Sequence, residues 1–491
     1  MASRRRPRAL AAAGSAALLA GCAAWVAPLD HPASASQQRP DPVAQCARLY
    51  QRVDAAVAAA GVADAQSARI ARFPYLRINR FLADSVPAAG DAASFDFWVQ
   101  RLRRLDARAR NAELANLPSG SRFADSAARL QRCAATLLHH DLADPDNRIR
   151  LRTASVPDDY QPLQRVLGLY PLTSMPFLLG VRRLHDEIRE TFATPLASLP
   201  VAGSLRRLRP PAPRPLLSAD EVAGILQRAA DNPLRIPVPT GADLERLFRA
   251  FAPHWEIDVA SADDRPGRLV LSGGTAAEVT GSPVVYTTIS HARWQQHALL
   301  QLNYVIWFPA RPRQGPLDLV GGHLDGLTWR VTLGPNGRPL LYDAMHNCGC
   351  YYMAFSTPRV QVDTRRRGWE EPLVIPQTVP DGSEALTIRL QAGTHYVQRV
   401  YRRGDAGEGE AYELADYDRL RSLPLQDGGR RSLFRPDGIV EGTQRRERWL
   451  FWPMGVPEPG AMRQMGNHAI AFVGRRHFDD PRLLERYFAP E

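Results

Sequence analysis

The hydrophobic period of this chain changes once, near Trp255, and that change limits its architecture more than any other feature. Before it, apolar residues recur at helical spacing. Cys46, Leu49 and Val53 fall at i, i+3 and i+7 behind Asp41-Pro42, a cap followed by a first-turn proline. A second stripe, Trp98, Leu102 and Leu105, belongs to a helix opening at Ser94. A third runs from about Ser121 through Phe123, Leu130, Cys133 and Leu137. Beyond Trp255 the apolar stretches become β-branched, aromatic or alternating, at 284–289, 299–308, 327–333 and 340–346. Gly334-Pro335-Asn336-Gly337 joins the last two as a hairpin turn. Residues 397–401, 449–452 and 469–473 continue the strand character, and 482–488 reads as a closing helix. The pattern predicts an α+β chain, with an N-terminal helical bundle followed by a larger β-rich domain.

The divisions follow composition. Residues 1–21 form a leader and 22–41 a tether rich in Ala, Pro, Ser and Gln. Residues 42–198 make the helical domain. The stretch 199–217, with Pro200, Pro210, Pro211, Pro213, Pro215 and four arginines, reads as a stiff linker. Ser218 with Glu221 then opens the second domain, 218–491, as a capping box. A further amphipathic helix follows with Leu244, Leu247, Phe248 and Phe251.

In the leader, Arg4, Arg5, Arg6 and Arg8 precede an apolar run over 9–19, which ends in Leu19-Ala20-Gly21-Cys22. A positive n-region, a short apolar core and small residues before a cut site make a secretory signal. That run is too short to span about 30 Å of hydrocarbon. Cysteine directly after Leu-Ala-Gly resembles the lipobox of bacterial lipoproteins. The resemblance implies diacylation of Cys22, removal of the peptide before it and acylation of the new terminus. Three acyl chains would hold the protein in its bilayer, because stable anchoring needs more than one. Ala23 stands where lipoproteins kept at the inner membrane often carry Asp, so the resemblance implies the cell envelope, at the outer membrane facing the periplasm. The tether, as a flexible coil, spans roughly 25 Å. Ser3-Arg4-Arg5 also partly resembles a twin-arginine leader, and both export routes stay open.

All 62 basic residues are arginine. Without lysine there is no Schiff base, so pyridoxal phosphate (PLP) chemistry is excluded. A P-loop nucleotide site and a serine–lysine hydrolase are excluded for the same reason. Removing the four leader arginines from the formal +11 leaves +7 on the mature chain. Interspersed with 51 acids, that charge suits anionic lipid or wall polymer rather than nucleic acid. In an oxidising periplasm Cys46 and Cys133, both facing the bundle interior, are expected to pair.

The densest reactive cluster is Asp343-Ala344-Met345-His346-Asn347-Cys348-Gly349-Cys350-Tyr351-Tyr352. On an extended chain His346, Cys348 and Cys350 share a face and could begin a zinc or copper site. His291, His297, His323 or His468 would complete it, and Met454, Met462 and Met465 lie near His468. Alternatively one cysteine is a nucleophile. Cys348 or Cys350 followed by His468, at the head of an alternating apolar stretch, faintly resembles papain-like cell-wall cysteine peptidases. Cys348-Gly349-Cys350 could also close a reducible disulfide. His323 and Asp325, flanked by Gly321, Gly322 and Gly326, form a further candidate pair. Trp294, Tyr304, Trp307 and Trp329 could line a sugar platform or a sheet core. The leading expectation is a non-enzymatic envelope component that binds a partner protein or wall polymer. The second is an envelope hydrolase, metal-dependent or cysteine-type, using the 346–350 segment with His323 or His468.

Overall fold

The computed structural model describes residues 41–490 apart from 274–275, 364–369, 383–384 and 403–407. The leader, Cys22 and most of the tether lie outside them. The fold is α+β, and no described helix is long and apolar enough to cross a membrane.

Helix α1 (Pro42–Ala60) starts as its sequence requires: Asp41 accepts from the Val43 amide and Pro42 sits at the first turn. Gly61 ends it at φ +63°, a conformation open to glycine. A hairpin of β1 (Ala68–Ile70) and β2 (Phe73–Ile78) follows, then α2 (Arg80–Asp84), α3 (Ala92–Ala115), α4 (Ala127–Asp141) and α5 (Pro145–Arg152). The hairpin corrects the all-helical expectation. β2 is buried along its whole length, so it shows no alternation from which a strand could be recognised. The second helix is capped by Asp91 rather than opened by Ser94, and Phe123 precedes α4. Cys46 and Cys133 form a disulfide joining α1 to α4. Between the hairpin and the helices, Arg77 of β2 and Arg110 of α3 are buried among Asp54, Asp106 and Glu113, each cation facing carboxylates. Such an ionic cluster tolerates burial because each cation faces more than one carboxylate.

Helices α6 (Pro162–Leu167) and α7 (Tyr170–Ala193) leave this bundle. Gln161 donates its amide to Gly455, Arg165 donates to Met454 O, and Phe177 meets Phe451 edge to face at 5.0 Å. They therefore pack on the C-terminal region rather than on the first domain. The expected linker is also partly structural: β3 (Ser204–Arg209) lies inside a sheet, with Leu208 fully buried. Arg206 and Arg207 face Glu410 and Glu256 on flanking strands, and those carboxylates make the basic strand tenable.

After α8 (Ala219–Ala229) and α9 (Gly241–Phe251) come β4 (His254–Val259), β5 (Arg268–Ser272), β6 (Ala276–Thr280), β7 (Val284–Trp294) and β8 (His297–Arg311). Next are β9 (Gly322–Leu333), β10 (Pro339–His346), β11 (Met353–Ser356) and β12 (Val360–Val362). The set closes with β13 (Leu386–Leu390), β14 (Val397–Arg402), β15 (Glu410–Ala411) and β16 (Glu413–Asp416). One sheet runs β11-β10-β9-β8-β7-β16 and the other β14-β13-β4-β3-β15. Alternation along β8 sends Leu300, Leu302, Tyr304, Ile306 and Phe308 into the core shared with the second sheet and with α8 and α9. Leu299, Val305 and Trp307 enter a second core under residues 415–488. With both faces covered, Trp294, Tyr304, Trp307 and Trp329 are sheet core, not a sugar platform. Residues 448–451 form a short helix, α10 (Arg448–Phe451), where a strand was expected. Residues 469–473 make only one bridge, Ala469 to His477. Short apolar runs do not distinguish these states. The chain closes with α11 (Leu483–Tyr487), and Phe488 already pairs with Val362 of β12.

Candidate functional site

Where the β13–β14 turn meets β9 and β10, four ionisable side chains form a buried row. His395 Nδ1 lies 2.8 Å from Asp325 Oδ2, and its Nε2 lies 3.3 Å from Asp264 Oδ1. The second Asp325 oxygen is 3.4 Å from His346 Nδ1. All four are at most 1% exposed. Asp264 is built by a local turn, accepting from the amides of Ala260, Ser261 and Gly393. The ring of Phe308 stacks on that of His395 at 3.9 Å and 5°.

The electrostatics pull the two histidines in opposite directions. Burial would raise Asp325, but His346 and His395 outweigh it and hold the carboxylate well below its usual range. Burial would lower His395, yet its bonds to Asp264 and Asp325 hold it above the ordinary value. His346 goes the other way, lowered by burial against the pull of Asp325. These opposite directions favour the charged form at His395, between two carboxylates, over that at His346. With its hydrogen on Nδ1, 3.4 Å from Asp325 Oδ1, a neutral His346 keeps Nε2 as the basic nitrogen. That Nε2 is buried without a hydrogen-bond partner among the described residues. The rings of Tyr351 and Tyr396 pack against His346 at 5.1 and 5.5 Å, and both tyrosines are only half-buried. Arg311 donates to the Tyr396 hydroxyl and lies over both tyrosine rings. Glu447, pushed up to about 7 by burial against the opposing pull of Arg311 and Arg445, is a further titratable group nearby.

Local backbone explains this convergence. Leu324 sits at φ +49°, and in the unbroken β8–β9 register Asp325 opposes Phe308 and His323 opposes Ala310. At Gly326 a Cβ would meet Asn347 Nδ2 at 2.2 Å. Its absence lets Asn347 bond Gly326 O and Thr328 beside His346. Tyr351 is held at φ +55°, a strained state for a large side chain and one that clusters at functional sites.

Several sequence-based expectations are corrected here. His323 does not meet Asp325; its Nε2 bonds Ala277 O at 2.6 Å. The extended segment 346–350 is instead a tight turn, with His346 N donating to Cys350 O and Gly349 at φ +94°. His346 consequently faces Asp325, whereas Cys348 and Cys350 line a small cavity with Glu371, Val456 and Ala469. Cys350 is pushed well up by its bond to Cys348 and by burial, which disfavours the thiolate a nucleophile needs. Both cysteines are free thiols. His468 bonds Asn347 O at 3.1 Å, and burial pushes it down to about 3. His291 lies apart, bonded to Pro237 O and packed on Phe81. Among the described residues no three His, Cys, Asp or Glu side chains are arranged to hold a metal ion. Met454, Met462 and Met465 are buried, the latter two among the apolar residues of the second core. Asp264, Arg311, His395 and Tyr396 escaped sequence reading, since each is isolated from the 346–350 cluster and carries no motif. Comparison with protein-family models, curated proteins and solved structures finds no match for this chain.

Proposed function

We propose that this chain is a cell-envelope protein, lipid-anchored through Cys22 at the outer membrane and facing the periplasm, whose β-rich body is a hydrolase. His346 is its general base. The observation that carries this reading is the unpartnered Nε2 of a histidine whose other nitrogen is held by Asp325. Among the described residues His185, His395 and His468 also carry an unpartnered buried ring nitrogen. At His346 that nitrogen belongs to a ring packed by two half-buried tyrosines that Arg311 overlies, and this favours catalysis over a purely binding or structural role. His346 Nε2 accepts a proton from water, the hydroxide oxygen adds to an acyl carbon, and the same proton passes to the leaving group. Asp325 steadies the imidazolium formed in between, and the His395 cation keeps Asp325 ionised. Arg311, over the rings of Tyr351 and Tyr396, supplies positive charge suited to an anionic substrate or a developing oxyanion. Entry to Nε2 requires Tyr351 or Tyr396 to swing aside. No thiol and no metal ion enters this route.

Activated esters such as p-nitrophenyl acetate test it. Turnover by the wild-type chain is expected to fall about 100-fold or more in His346→Gln, the scale of general-base catalysis, with unchanged circular dichroism. Equal turnover in His346→Gln, or loss on Cys348→Ala with Cys350→Ala instead, overturns the assignment.

A further inference from the structure

Residues 160–185, which include α6 and the first two-thirds of α7, contain no acidic side chain; their only charges besides His185 are Arg165, Arg182 and Arg183. Helices on a water-facing surface ordinarily turn charged residues outward. Here the outward residues are Leu163, Val166, Leu167, Leu169, Leu172 and Leu179, with Leu172 71% exposed. The packing of Phe177 on Phe451 brings α10 alongside, and α10 adds Trp449, 72% exposed, and Leu450. Two segments nearly 300 residues apart thus build one apolar surface, and singly scattered leucines would need no such explanation. The surface is edged by cations. Arg448 lies over the Trp449 ring at 4.7 Å, exposed Arg446 precedes it, and Arg182 follows on α7, beside Arg183, which pairs with Glu187.

We infer that α6, the start of α7 and α10 form a docking surface that rests in the headgroup–acyl boundary of an anionic bilayer. Leucines on one side, tryptophan at the margin and arginines around them are the composition of helices that lie in that plane. The cationic edge decides among occupants. It attracts anionic headgroups, opposes the same edge on a second copy, and leaves the leucines unmatched by a polar wall polymer. The inference does not depend on acylation of Cys22. In an anchored protein this contact would fix orientation: a tether alone leaves the body free to turn, while a second contact holds one face down.

The chain from residue 23 onward, which carries every described element and neither leader nor acyl group, is suited to the test. Flotation with phosphatidylethanolamine–phosphatidylglycerol vesicles is expected to carry it upward. The variant Leu167→Glu/Leu172→Glu/Trp449→Glu should bind at least about tenfold more weakly, since both the apolar area and the charge match are lost. These side chains are exposed, and an unchanged thermal midpoint verifies folding. As a second readout, brominated lipid should quench tryptophan emission in the parent and not in Trp449→Phe/Trp452→Phe. Failure of the parent to float, equal flotation of the triple variant, or concentration-dependent dimerisation through Trp449 overturns the inference.

Discussion

Asp325→Ala is expected to cost about 3–5 kcal/mol of stability, the scale for removing one partner of a buried ion pair. Asp325 bonds His395 and lies 3.4 Å from His346 Nδ1, so its loss leaves His346 without its carboxylate and the His395 cation with Asp264 alone. Asp325→Asn keeps the shape but not the charge, and should cost less. The pH window follows from the directions of the shifts. His395, raised in the fold, contributes fully below its unfolded value near 6.5 and loses the contribution as pH climbs through the raised one. Asp325, depressed, contributes above its unfolded value near 3.9 and loses it as pH falls through the depressed one. The cost of Asp325→Ala should therefore be largest between about pH 4 and 6.5. Urea midpoints at pH 5.5 and pH 8.5 measure it; a cost below about 1 kcal/mol at pH 5.5 contradicts the pairing.

Removal of the Cys46–Cys133 disulfide is the second large effect. The bridge closes an 87-residue interval and pins α1 to α4. By the chain-entropy argument, freeing it destabilises the N-terminal unit by about 4–5 kcal/mol. The double variant Cys46→Ala/Cys133→Ala should unfold that unit at lower denaturant, exposing Trp98 while the sheets remain intact. Its emission, compared with a Trp98→Phe control, reads the event. Coincident unfolding of the whole chain at an unchanged midpoint would show that the bridge stabilises nothing locally.

The sequence carried the fold wherever a pattern is local. Asp41-Pro42 and Ser218 with Glu221 cap the helices they announce, and Gly334 to Gly337 turns β9 into β10. Cys46 and Cys133 could be expected to pair from helical phase together with an oxidising compartment. Reading failed where tertiary partners override composition. Arg206 and Arg207 hide a strand inside an apparent linker because carboxylates on neighbouring strands receive them. The exposed leucines of α6 and α7 look like ordinary core residues in one dimension. The site was half legible. His346 and Asp325 were both singled out, but for different partners. The turn at Gly349 carries the cysteines away from His346, and that backbone state cannot be read from side-chain periodicity. His395 and Asp264 enter through loops from the other sheet, which no spacing rule connects to β10.

The central claim is a proton assignment: His395 charged, and His346 neutral with its hydrogen on Nδ1. Nitrogen-15 spectra of histidine-labelled protein, with His346→Gln and His395→Gln used to assign the signals, report both directly. The account predicts an imidazolium at position 395 at pH 7, and at position 346 a ring whose Nε2 has the shift of an unprotonated nitrogen. A neutral ring at position 395 together with a protonated Nε2 at position 346 would contradict it.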